Sequence, residues 1–179
     1  MTTLKAIETA RLRLAPLDAN LARLQAEDRE AFFSALGVEP EPSWPPERFE
    51  DVEGMNRRLS VHPEEAGWRQ WVFISPILNR LVGAAAFTGP PNEQGLVEIS
   101  YAMLNSYREQ GLATEAVMGM VDWAYDQPGV SRILAETVSD GLASRRVLEK
   151  SGFEACGPVF DDGRQTDLYI YKHERSAGA

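Results

Sequence analysis

At 179 residues the chain is long enough for one domain with a sizeable core and short for two. Hydrophobic residues make up 44% and charged residues 25%, a globular composition that excludes intrinsic disorder. The formal net charge of −9 disfavours non-specific binding to nucleic acid or anionic membranes, and no apolar run is long enough to span a bilayer.

Along the chain, Arg11 to Pro16 alternates apolar and basic residues and reads as a first strand. Asn20 to Gly37 holds one or two short helices with an apolar stripe of Leu21, Leu24, Ala31, Phe32, Ala35 and Leu36. Val38 to Pro46 carries four prolines and is a loop. Glu47 to Val61 follows as a charged amphipathic helix using Phe49, Val52, Met55 and Leu59. Trp68 to Ile74 and Leu81 to Phe87 read as paired strands, and Val97 to Leu104 as a third after the loop Gly89 to Gly95. A helix from about Ala113 to Asp126 buries Val117, Met120, Val121 and Ala124, and Pro128-Gly129 closes it. Arg132 to Val138 is a strand, Leu142 to Ser151 a helix, and Phe153 to Val159 and Thr166 to Lys172 are the last strands; the tail from Glu174 is expected to fray.

This order, helices first, then a strand meander, then β-α-β-α-β-β, predicts one α/β (α+β) domain over 1–179, with its core over about 8–173, built on a mixed sheet. Cys156, the only cysteine, cannot form an intramolecular disulfide or a metal cluster, and reads as a buried free thiol. Only His62 and His173, both in polar surroundings, could partner it in catalysis. The N-terminus lacks the basic-then-apolar layout of a signal peptide, so a soluble cytoplasmic protein is expected, with no metal, nucleic acid or membrane partner.

The most informative run is Tyr107-Arg108-Glu109-Gln110-Gly111-Leu112-Ala113-Thr114-Glu115-Ala116, where a strand passes through a glycine turn into a helix. Such a junction gathers backbone N–H groups and the positive end of a helix at one point, which suits a pyrophosphate. No G-x-x-x-x-G-K-[ST] and no G-x-G-x-x-G occurs, so neither a P-loop nor a dinucleotide fingerprint competes. The pattern Arg108-x-x-Gly111-x-Ala113 resembles the acyl-CoA pyrophosphate loop of the GNAT N-acetyltransferase superfamily. A second block, Val138 to Phe153 with its closing Leu148-Glu149-Lys150-Ser151-Gly152-Phe153, resembles the superfamily's other CoA-facing segment. Glu98-Ile99-Ser100-Tyr101 and Thr9-Ala10-Arg11-Leu12-Arg13-Leu14 add two further similarities, and the four together look most like the Rim-type subgroup, which includes N-terminal acetyltransferases of ribosomal proteins.

The resemblance implies a GNAT fold, with a mostly antiparallel sheet of about seven strands splayed at its centre and flanked by helices. It also implies acetyl transfer from acetyl-CoA, as cosubstrate, to a primary amine in a ternary complex. In that expectation Ala102, Met103 and Leu104 pair with the pantetheine arm, one of their N–H groups polarises the thioester carbonyl, and Arg108, Glu109, Gln110, Gly111, Leu112, Ala113 and Thr114 hold the pyrophosphate. Glu98 is the candidate general base, acting through water; its other reading is a strand residue paired with Arg13 or Arg132. Ser144 is the candidate to protonate the departing thiolate, or else a cap or cofactor contact, because Leu148 stands where many members carry a tyrosine. Tyr101, Tyr169 and Tyr171 read first as sheet packing. Asp140, a cofactor-facing position usually asparagine in the subgroup, and Glu109, where glycine is common, are departures expected to weaken CoA affinity by about 0.3–1 kcal/mol each.

The acceptor has no recognisable code. An acidic cleft formed by Glu39, Glu41, Asp161 or Asp162 would favour a cationic peptide, polyamine or aminoglycoside, and Trp44, Trp68 and Trp71 are candidates to line it. Ala84-Ala85-Ala86 would leave room for an acyl group larger than acetyl. A homodimer is compatible with the resemblance. The competing class is a GNAT-fold protein that binds acyl-CoA without catalysis, as a sensor or scaffold.

Overall fold

The computed structural model describes residues 4–138, 141–161 and 163–172. The chain begins with a short strand β1 (Ile7–Glu8), paired antiparallel to β2 (Arg13–Pro16). The strand expected from Arg11 starts two residues later, because Thr9 turns the chain and its N–H bonds the Leu12 carbonyl. Three helices follow: α1 (Ala19–Glu27), α2 (Arg29–Leu36) and α3 (Val52–Val61). Each is started by an aspartate whose carboxylate accepts a first-turn N–H: Asp18 from Leu21, Asp28 from Ala31 and Asp51 from Gly54. Asp51 explains why α3 begins there rather than at Glu47, and Phe49 is buried from the preceding loop instead of from a helix. In α2 the buried positions are Phe32, Phe33 and Leu36, while Ala35 is exposed.

The antiparallel strands β3 (Gln70–Ser75) and β4 (Arg80–Phe87) lead to β5 (Leu96–Met103), then α4 (Leu112–Tyr125), β6 (Arg132–Val138), α5 (Leu142–Lys150) and the hairpin β7 (Glu154–Asp161) and β8 (Arg164–Lys172). The eight strands form one sheet in the order β1-β2-β3-β4-β5-β6-β8-β7, one more than the sequence indicated, because the two-residue β1 carries too little pattern to be read. Among the described residues, only β5 and β6 run parallel.

One face of the sheet packs Leu14, Trp71, Phe73 and Ile99 against the expected α4 stripe of Val117, Met120, Val121 and Ala124. The other packs Val72, Ile74 and Ala84 against Ala22, Phe32 and Leu59 of α1, α2 and α3. Trp71 and Trp44 are both core, and Trp68 stacks edge-on against Phe87 and Trp123. Cys156 corrects the expectation of a buried thiol. It is exposed on β7, where the pairing with β8 skips from Ala155 to Gly157, so it is the extra residue of a bulge and turns outward. The tail from Glu174 and His173 lie outside the described residues.

Candidate active site

The parallel pairing of β5 with β6 consists of Leu96↔Arg132, Val97↔Ile133 and Glu98↔Leu134, and stops there, although both strands continue. The sheet is therefore splayed beyond Glu98. Which backbone groups of β5 face the gap follows from its antiparallel pairing with β4. The Thr88 N–H bonds the Glu98 carbonyl at 3.0 Å and the Leu104 N–H bonds the Val82 carbonyl at 2.9 Å. Alternate residues therefore point to β4, and Ile99, Tyr101 and Met103 point their N–H and C=O groups into the gap. The Met103 carbonyl faces that way, accepting from Arg108 Nε at 3.4 Å. Of the expected trio, Leu104 has its N–H committed and its side chain in the core, and Ala102 shares its parity. Backbone pairing in the gap thus falls to Met103 and to Tyr101, whose N–H the sequence reading did not single out. Strand parity depends on register, which no local residue pattern encodes.

The gap opens into a cleft of about 1320 Å³ lined by Tyr101, Ala102, Met103, the segment from Arg108 through Thr114 except Gln110, and Ser144 and Val147 of α5. Gly111 caps α4 at φ 74° and contributes no side chain, and the first intrahelical acceptor bond runs from the Glu115 N–H to the Gly111 carbonyl at 3.2 Å. The N–H groups of Leu112, Ala113 and Thr114 are left without helical partners at the cleft wall. Glu109 also adopts a left-handed φ, 60°, so two nearby turn residues share the conformation that builds an anion-binding concavity. That backbone angle is the physical reason glycine suits position 109. Gln110 serves the loop itself: its carbonyl accepts from Arg11 at 2.8 Å and its amide reaches the Ser106 carbonyl.

Behind this turn, Glu115 accepts from the Thr9 hydroxyl at 2.6 Å, the Arg11 N–H at 2.6 Å and Arg11 Nε at 2.7 Å. Burial opposes the charged form, but these bonds outweigh it and hold the carboxyl below its usual range.

On α5, Ser144 lines the cleft and sits inside the helix rather than at its cap, which is Gly141. Its backbone carbonyl accepts the Tyr101 hydroxyl at 3.1 Å. Burial pushes that hydroxyl far above the usual tyrosine range, while the Ser144 side chain and the positive charge of Arg48 pull weakly the other way. Tyr101 therefore stays protonated and ties β5 to the first turn of α5. Leu148 is core, so the phenol facing the cleft comes from the sheet and not from α5. Asp140 lies outside the described residues.

Glu98 stands at the closed end of the splay. By alternation its side chain is on the α1–α3 face of the sheet, whereas Ile99 and Tyr101 pack on the α4 face. It is half-buried, makes no ion pair among the described residues, and does not line the cleft; Arg13 pairs with Glu8 instead. Burial and the neighbouring carboxylate of Glu136 push its pKa up. About 10 Å of strand separates it from Tyr101, so any proton it takes must arrive through water.

The lining carries Arg48, Arg108, Arg146, Lys150 and Arg164 against Glu47 and Glu109, a local excess of positive charge in a chain of net charge −9. Of the expected acidic wall, Glu39 and Glu41 do not contribute, and Asp162 and the Asp161 side chain lie outside the described residues. Glu41 is buried outside the cleft, accepting from the hydroxyls of Ser43 at 2.7 Å and Tyr107 at 2.9 Å, and Glu39 does not line it. Neither the three tryptophans nor Ala84, Ala85 and Ala86 line it. An open strand edge, a helix start with no side-chain cap and surplus cations fit a long ligand with a peptide-like arm and a phosphorylated end, as coenzyme A is.

A family model described as an acetyltransferase (GNAT) domain matches residues 18–154. YjdG of Bacillus subtilis strain 168, an uncharacterised N-acetyltransferase, is 32% identical over 148 residues, covering 82% of this chain and 88% of its own. The ribosomal-protein-S5-alanine acetyltransferase of Vibrio fischeri superposes with a TM-score of 0.66 at 16% identity, over 94% of this chain and 97% of that one. RimL, a ribosomal-protein α-N acetyltransferase in complex with coenzyme A, superposes with a TM-score of 0.66 at 14% identity, over 94% and 98% of the two chains. At such identities these two structures speak for the fold alone.

Proposed function

We infer the reaction from a premise the comparisons supply: this chain belongs to the GNAT acetyltransferase family, and it is an acetyl-CoA-dependent N-acetyltransferase. The observation that carries the site assignment is the unpaired edge of β5 ending against the start of α4, which has no side-chain cap. Acetyl-CoA supplies an activated thioester, whose acyl carbon forms a bond to the acceptor nitrogen as the carbon–sulfur bond breaks and free CoA thiol is released.

The residues then divide the work. The N–H groups of Leu112, Ala113 and Thr114, with Arg108, hold the pyrophosphate at the positive end of α4. Met103 and Tyr101 offer the backbone edge along which the pantetheine arm lies, and an N–H of that edge serves the carbonyl oxygen as charge develops on it. Ser144 donates a hydrogen bond toward the departing sulfur, with its helix fixed by Tyr101. Glu98 accepts the amine's proton through water; its raised pKa improves it as a base near neutrality. An α-amine, near pKa ~8, is neutral about once in ten molecules at pH 7, whereas a lysine amine is neutral about once in 2,500. A distant, water-linked base suits the less demanding α-amine. Both structural neighbours named above are ribosomal-protein acetyltransferases, so peptide α-amines are natural first acceptors.

The test is thermal melting with acetyl-CoA against NADH and ATP, followed by free-thiol release with an amine panel. An upward shift with acetyl-CoA alone, and turnover with at least one amine, is expected. Binding without turnover on any amine would favour an acyl-CoA sensor, and no shift at millimolar acetyl-CoA would remove the site assignment.

A further inference from the structure

Arg48 is the cation of the cleft that comes from the loop between α2 and α3. It follows the proline-rich stretch, and that loop is firmly held. Arg29 donates to the carbonyls of Glu41, Pro42 and Trp44, Glu41 ties the loop to Tyr107 and Ser43, and Trp44 and Phe49 are buried on either side of the Glu47-Arg48 pair. Between those anchors Arg48 adopts φ 75°, a left-handed angle that an L side chain rarely takes. Its guanidinium makes no hydrogen bond or ion pair among the described residues, yet it lines the cleft together with Tyr101 and Ala102.

Its position distinguishes it from the other cations. Arg108 belongs to the anion turn and pairs with Glu47 at 3.9 Å, Arg146 and Lys150 belong to α5, and Arg164 opens β8. Arg48 comes instead from the loop joining helices that pack on the opposite face of the sheet. That face also carries Glu98 and, on β6, Glu136, the acidic pair beside the splay. Ala102 lines the cleft and packs with this face, so the cleft reaches through the gap to it. The acceptor side therefore presents carboxylates at the closed end of the splay and a free guanidinium on the overhanging loop.

We propose that Arg48 is an acceptor-binding residue that pairs with a carboxylate carried close to the attacking amine, so that the preferred acceptors hold amine and carboxylate within one or two residues of each other. The proposal rests on the transferase reading and names its substrate class: a free amino acid or the acidic start of a peptide. A guanidinium offers a carboxylate a two-pronged bond, and it repels the ammonium-rich acceptors that an acidic cleft would have favoured.

The experiment compares the wild type with R48G, which suits the left-handed backbone and so is expected to fold with an unchanged or higher Tm. Acceptors are offered in matched pairs: free amino acids against their carboxamides, and tetrapeptides with aspartate in the second position against the same peptides with lysine. Calorimetric binding of each acceptor to the protein saturated with CoA is read beside kcat/KM. The expected result is at least a tenfold preference for the carboxylate member in the wild type, lost in R48G, while acetyl-CoA affinity is unchanged. The amino-acid and peptide arms show which source of the carboxylate is used. Equal binding of both members by the wild type, or an R48G that loses acetyl-CoA affinity instead, overturns the proposal. Absent turnover with an intact carboxylate preference in binding would count against the transferase reading and not against Arg48.

Discussion

Arg11 and Glu115 lie 104 positions apart and clamp the start of α4 from behind, with both the backbone N–H and the Nε of Arg11 on one carboxylate. The same arginine reaches the Gln110 carbonyl, one residue before the helix-capping glycine. The N-terminal hairpin and the anion turn, two separate sequence similarities, are therefore one mechanical unit. Replacing Glu115 by glutamine weakens charge-assisted bonds from Thr9 and Arg11. The expected outcome is a loss of about 1–3 kcal/mol, reduced by the exposure of Arg11, together with a several-fold weaker acetyl-CoA affinity. Denaturant unfolding and calorimetry read both.

Glu109 and Gly111 make opposite predictions from the same backbone angle. Glu109→Gly relieves a non-glycine residue at φ 60° and removes a negative charge beside the anion turn, so Tm and acetyl-CoA affinity both rise. Gly111→Ala places a Cβ at φ 74° and about 3.4 Å from an Arg11 nitrogen, costing about 1 kcal/mol or more and weakening acetyl-CoA binding. Melting curves with and without acetyl-CoA on the two variants check both signs.

Glu98 carries a pH prediction. Its folded-state pKa is raised, so its contribution to stability is present below the unfolded value and lost as pH rises through the folded one. At neutral pH, Glu98→Gln is therefore expected to raise Tm while lowering kcat about 10²-fold. Glu136→Gln removes the like charge, and the acidic limb of the pH–rate profile moves to lower pH. A limb unmoved in both variants would assign the base elsewhere.

Glu65 predicts the acid limit of the fold. Bonds from Arg58 and Arg69 hold its carboxyl down to about 2. A depressed carboxylate stabilises above its unfolded pKa and loses that contribution as pH falls toward the folded one, here between about 4.5 and 2. Wild-type stability should decline through that window, and Glu65→Gln should start lower and decline less, as followed by urea unfolding at stepped pH.

Most of the fold was legible because strong patterns sat on regular elements. The strand Arg132–Val138 was read to the residue, and the α4 stripe is buried as its spacing required. Boundaries failed where a local bond overrode the pattern: the Asp51 cap delayed α3, and Thr9 delayed β2. The turn from Glu109 to Gly111 into α4 was legible because its glycine and small residues encode backbone geometry directly. Backbone parity on β5 was not, since the Leu104–Val82 bond fixing it depends on register between strands. Nor could composition show that Glu41 is consumed by Tyr107 and Ser43 while Arg48 is presented to the cleft. Both residues lie in a loop whose course is set by tertiary anchors.

The most direct measurement is amide hydrogen exchange on the protein with and without acetyl-CoA. Added protection is expected at the N–H groups of Tyr101, Met103, Leu112, Ala113 and Thr114, with the already bonded Leu104 N–H unchanged. Bound acetyl-CoA that left the Tyr101 and Met103 amides exchanging as before would contradict this expectation.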